Sequence, residues 1–135
     1  MKYINLFKTG GGVYAFQFMA GGLIYALMEV LYRGYTHISM FIAGGVCLCI
    51  LIRLSRSGMP FLLKCLAGGL SICAVEFAAG CIVNLWLGLN VWDYTRYGYH
   101  ILGQVCLRYF VIWSALSAVV MWGYPLLSKT LKHGF

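Results

Sequence analysis

Acidic side chains are almost missing from this chain of 135 residues: Glu29, Glu76 and Asp93 are the only three. Charge of either sign is scarce, at 10% of residues, where soluble domains carry roughly 25%. That is too little to cover a water-facing surface, which excludes an ordinary soluble domain. Only two prolines occur, and no Ser/Gly-rich or charge-rich tract is present. No linker or disordered tail is expected, so the chain reads as a single domain, 1–135. No HExxH sequence, Walker loop, glycine-rich phosphate loop or Ser/His/Asp grouping is found. No catalytic residue, metal site or cofactor is therefore expected, and any coupling to ATP would have to come from another subunit.

What fills the chain is apolar, with 62% of residues hydrophobic and 16% aromatic. The net charge of +7 could suggest nucleic acid. The basic residues, however, stand singly or in twos between apolar runs and form no stripe along which a phosphate backbone could lie. Nucleic acid is not an expected partner. The six cysteines, Cys47, Cys49, Cys65, Cys73, Cys81 and Cys106, all lie inside apolar runs, where cysteine behaves as a small hydrophobe. The start, Met1 to Lys8, is basic, but no A-x-A-like cleavage site follows the first apolar stretch. A removed signal peptide is not expected.

A membrane-crossing helix needs about 20 mostly apolar residues. Four runs qualify: 11–31, 38–52, 61–89 and 101–127. The expected fold is thus an all-α membrane protein, a bundle of four transmembrane helices in a bilayer. Lys2, Lys8, Arg53, Arg56, Lys64, Lys129 and Lys132 flank one side, while Arg33 and Arg96 flank the other. Positive residues gather on the cytoplasmic face. Both termini should then be cytoplasmic, in a bacterial-type inner membrane. Tyr32, Tyr35, Trp92, Tyr94, Tyr97 and Tyr99 fall in the two outer connections, as an interfacial belt would.

Ala20-Gly21-Gly22-Leu23 followed by Glu29 recurs as Ala67-Gly68-Gly69-Leu70 followed by Glu76, an offset of 47 (67 minus 20). Gly44-Gly45-Val46-Cys47-Leu48 aligns with Gly103-Gln104-Val105-Cys106-Leu107 at an offset of 59 (103 minus 44). The pattern suggests a duplicated helical hairpin, with repeats 20–57 and 67–117 related by an axis along the membrane normal. The glycines, Ala43-Gly44-Gly45 among them, would be helix contact surfaces.

Ionisable groups at membrane depth cost roughly 2.5–3.5 kcal/mol each, and they face a bundle interior or a water-filled cavity. Glu29 and Arg33, four apart, suit a local ion pair. Glu76 has no basic residue within a turn, and Arg108 looks about two turns deep in the fourth run. A Glu76–Arg108 pair between helices would shelter both. These residues, with Asn84, Gln104 and Glu29, would line a polar chamber opening outward, which His37 and His100 would border.

Trp92-Asp93-Tyr94-Thr95, then Gly103-Gln104-Val105-Cys106-Leu107, then Trp113 resembles the WDYS…GxICL…W pattern of the CmpB-like, ABC-transporter type IV family of integral membrane proteins. Glu29 with Arg33-Gly34-Tyr35 resembles that family's first-helix acid and RGF segment, and Glu76 its later acid. The resemblance covers roughly residues 20 to 115. It departs at Tyr99-His100, where the family often has an Asn, and at Thr36-His37-Ile38-Ser39, where it is often rich in Gly and Pro. The resemblance implies a permease-like role and no ATPase domain. A permease or channel is the leading expectation, with a pathway on Glu29, Arg33, Glu76, Asn84, Trp92, Asp93, Tyr94, Gln104 and Arg108. A small cation, a proton or a lipid headgroup would be its ligand. So thin a bundle suggests a homodimer or a partner membrane subunit. The alternatives are a membrane enzyme or lipid-binding protein acting on headgroups, and a structural accessory subunit.

Overall fold

The structure is a computed structural model that describes residues 10–134. Lys2 and Lys8, and the side chains of Lys129 and Lys132, lie outside what is described. Four long helices form the bundle: α1 (Gly10–Arg33), α2 (Ile38–Ser55), α3 (Phe61–Gly80) and α4 (Leu107–Gly134). Each is long and apolar enough to cross a membrane, over Gly12–Arg33, Ile38–Ser55, Phe61–Trp86 and Leu107–Leu127. The protein is therefore a multipass helical membrane protein. Its outer surface agrees, since Leu23, Leu27, Leu31, Val119 and Trp122 are exposed, while the buried core combines large apolar side chains such as Met40, Ile72 and Trp113 with the polar Gln17, Glu76, Gln104 and Ser117.

The ends of the helices follow from local chemistry. Gly34, at φ +82°, closes α1 in the left-handed conformation that glycine adopts at no steric cost. His37 caps α2 through Nδ1, which accepts the Ser39 N–H at 3.1 Å. Pro60, with no N–H to leave unpaired, opens α3. That helix does not stop at Gly80 but widens into a π-helical turn, Cys81–Trp86.

The fourth run differs from expectation at its start. Residues 101–106 do not enter the helix. A short antiparallel hairpin, β1 (His100–Ile101) with β2 (Val105–Cys106), precedes α4. Leu102 and Gly103 have φ of 52° and 73°, and Gln104 N–H donates to the Ile101 carbonyl at 3.0 Å. Two consecutive positive φ angles are the geometry of a tight hairpin turn. Hydropathy cannot distinguish this apolar hairpin from the helix that follows.

Glycine sets the helix contacts. A Cβ on Gly44 would lie 2.5 Å from the Tyr25 Cβ and 2.8 Å from the Gly21 carbonyl oxygen. One on Gly68 would lie 2.5 Å from the Ser117 Oγ. So α1 closes on α2 and α3 on α4 through near-backbone contact, while α2 joins the two pairs by meeting α3 and α4. Backbones of α1 and α4 do not pack extensively on one another. All six cysteines are free, and Cys47, Cys65, Cys73 and Cys106 are buried.

One substitution at two positions tests this packing. Gly44→Ala should destabilise the bundle by about 1–3 kcal/mol through overpacking. At Gly123 in α4 a Cβ would meet nothing within 4 Å, so Gly123→Ala should be neutral or gain up to about 1 kcal/mol from helix propensity. Thermal denaturation in detergent reads both.

Candidate functional site

At the end of the bundle away from Gly10 and Gly134, a cavity of about 450 Å³ opens between α1, α4 and the connection before the hairpin. Glu29, Arg33, Trp92, Asp93, Tyr94 and Arg108 of the expected pathway line it. Glu76, Asn84 and Gln104 do not line it, nor do His37 and His100.

Glu76 nonetheless sits against the cavity wall. It is 2% exposed, and both carboxylate oxygens are engaged. The Tyr25 hydroxyl donates to Oε1 at 3.0 Å and the Trp113 Nε1–H donates to Oε2 at 3.1 Å. Tyr25 belongs to α1, Glu76 to α3 and Trp113 to α4, so one carboxylate ties three helices. The two rings, with centroids 5.9 Å apart, both line the cavity. They also line a second, wholly apolar cavity of about 100 Å³ further along the bundle.

The expected Glu76–Arg108 pair does not form. Because α4 begins at Leu107, Arg108 lies in its first turn, at the cavity mouth and exposed. Trp113, level with Glu76, is five residues further in, about 7–8 Å along the axis. Arg108 instead lies over the Tyr97 ring at 5.0 Å. The Glu29–Arg33 ion pair does form, at 2.6 Å, and Arg33 Nη1 also donates to the Val91 carbonyl at 2.8 Å. Arg33 thereby anchors the third connection to α1.

Asn84 and Gln104 build the cover of the cavity, not its lining. The π turn carries Asn84, whose amide donates to Gln104 Oε1 at 2.7 Å and whose Oδ1 accepts the Val91 N–H at 2.6 Å. Gly80 leaves room for Gln104, which contacts the place a Cβ would occupy. Trp92 Nε1 donates to the Gln104 carbonyl at 3.1 Å, and Tyr94 N–H to the Gly103 carbonyl at 2.8 Å. Gly103 suits its place on two counts: its positive φ favours glycine, and a Cβ would fall 2.8 Å from Thr95 Cγ2 and 3.0 Å from Asp93 Oδ1. His100 Nδ1 accepts the Gly103 N–H at 3.1 Å. The Trp-Asp-Tyr-Thr and Gly-Gln-Val-Cys-Leu segments thus fold onto one another.

Asp93 accepts the Thr95 N–H at 2.9 Å, which holds its carboxyl below the usual range. Burial, and then the charge of Glu76, push the Tyr94 hydroxyl up, so it stays protonated. Tyr94 stacks on Tyr109 at 4.7 Å between centroids, and Tyr109 leads to Trp113 at 5.9 Å. Tyr25 and Tyr109 are lining residues that the sequence reading passed over, whereas Arg96 was placed at this side of the membrane from the start. Tyr25 could have been found, since it precedes Glu29 by four and shares its face.

A four-span helical protein carrying a covered cavity beside a buried carboxylate is the class these observations define. The chain belongs to the family described as "Putative ABC-transporter type IV", whose model matches residues 13–133. No curated protein and no solved structure matches it.

Asn84→Ala should leave the Val91 N–H and Gln104 Oε1 without their partner, at a cost of about 1–3 kcal/mol. Trypsin cleavage after Arg96 should accelerate correspondingly. Asn90 already has φ 51°, so Asn90→Gly should leave the cleavage rate unchanged.

Proposed function

We propose that the protein is a permease-like or channel-like membrane protein whose pathway runs through the α1/α4 cavity and is closed at its floor by Tyr25, Glu76 and Trp113. The observation that carries this reading is that two cavities share Tyr25 and Trp113, the two rings whose neutral donors hold a buried carboxylate. Such a carboxylate can take up a proton or meet a cation without breaking an ion pair, and its release would let the two rings part. Glu29, Arg33, Asp93 and Arg108 set the charge of the vestibule, while Trp92 and Tyr94 hold its cover. The family's description as a transporter type supports the same direction.

In this reading the cavity faces outward, both termini are cytoplasmic in an inner membrane, and the chain is a duplicated hairpin that works as a homodimer or with a partner subunit. An accessory, purely structural role is the second reading, favoured by the Glu76 clasp tying three helices.

Reconstitution tests the function. Proteoliposomes should show flux of a proton, an alkali or organic ion, or a fluorescent lipid, and Glu76→Gln should cut it at least about tenfold, the effect of ~1.4 kcal/mol, while the protein stays folded. Absence of every such flux in the wild type would leave the structural role. Orientation has its own test in a cysteine-free background. A membrane-impermeant maleimide should label Arg96→Cys in intact cells and leave Ser57→Cys unlabelled until the cells are broken.

A further inference from the structure

The two cavities differ in chemistry and share a wall. The larger is ringed by Tyr32, Tyr97 and Tyr109 with Arg33, Arg96 and Arg108, whereas the smaller is bounded by apolar atoms of Ile24, Leu48, Leu116 and Val120. Tyr25, Met28 and Trp113 belong to both, so the polar space and the apolar one adjoin along the α1/α4 seam. From Tyr32 to Gly21 on α1, and from Tyr109 to Val120 on α4, is eleven residues, about 16 Å of helix. Half of a hydrocarbon core of about 30 Å is nearly the same length.

The seam is also open at the side. Extensive backbone contact between α1 and α4 is missing among the described residues, and the cavity-lining Ile24, Met28 and Ile112 are exposed. Three arginines line the polar end against two carboxylates. Arg33 is paired with Glu29, and Asp93 is held by Thr95. Arg108 has no acidic partner among the described residues, its neighbour being the Tyr97 ring. Arg33 Nη2 is a buried donor with no hydrogen-bond partner, a state that native structures rarely leave uncompensated. Guanidinium groups suit phosphate through paired N–H donors.

We propose, building on the permease-like reading, that the ligand of this cavity is an anionic phospholipid of the surrounding bilayer. It enters sideways between α1 and α4, with its phosphate among Arg33, Arg96 and Arg108 and one acyl chain past Met28 into the Ile24–Leu116–Val120 cavity. A purely hydrophilic ion would use the arginines and leave the apolar cavity unaccounted for. A second copy covering the seam would bring no phosphate to the arginines.

Tryptophan fluorescence can test this. Trp86 and Trp122 are exposed and Trp92 and Trp113 buried, so a Trp86→Phe/Trp122→Phe protein reports from the cavity walls. It is reconstituted in phosphatidylcholine vesicles containing a minor fraction of phosphatidylglycerol, with brominated acyl chains on one lipid or the other. Brominated phosphatidylglycerol should quench more strongly than the same fraction of brominated phosphatidylcholine. High salt should remove the difference, and Arg108→Gln should weaken the preference roughly fivefold, the worth of one basic residue near a lipid surface. Leu116→Phe, which fills the apolar cavity without changing charge, should lower quenching by either lipid.

Equal quenching by the two lipids overturns the proposal, as does quenching insensitive to Leu116→Phe. Inorganic phosphate abolishing the preference at constant ionic strength would place a free anion there instead, and a seam protected by a second copy would give no quenching; either overturns it. Ion flux without phosphatidylglycerol preference rejects the lipid and keeps the permease. Preference without any flux keeps the lipid and rejects the permease.

Discussion

The Glu76 carboxylate is the group on which the bundle depends. Hydrocarbon gives a buried charge nothing to solvate it, so its environment must be built from protein. Here the builders are one phenol and one indole, from two helices that otherwise scarcely meet. Glycine contacts hold α1 to α2 and α3 to α4, but only side chains span the gap between α1 and α4. Removing the acid would leave those two rings with no common partner.

The helices were legible because apolar runs of membrane length have few other uses. The start of α4 was not. The hairpin at 100–106 is as apolar as the helix, and the signal was Gly103 at a position needing positive φ. That error displaced Arg108 inward and made an ion pair with Glu76 look necessary. Charge balance suggested arginine, whereas a carboxylate needs only two good donors, which Tyr25 and Trp113 supply. The Glu29–Arg33 pair, by contrast, was readable because helix geometry alone decides it.

Asn84 and Gln104 illustrate a different difficulty. Polar residues in an apolar run invite a reading as ligands, yet both are spent on backbone and on each other. The family's motif segments take on a concrete meaning in consequence. Trp92 and Tyr94 bond to the Gln104 and Gly103 carbonyls, so two segments separated in sequence act as one cover over the cavity. Arg33, bound to the Val91 carbonyl, fastens that cover to the first helix.

The π-helical turn Cys81–Trp86 carries a consequence for chain length. A π turn holds one residue more than the α-helix around it, and that residue sets the bearing of everything after it. Loss of a single residue there would restore α-helical winding and swing Asn84 by about 100° around the axis. The cover would lose its tether although every side chain in it remained. Within this turn, register matters as much as residue identity, and a one-residue gap should be tolerated less well than most substitutions.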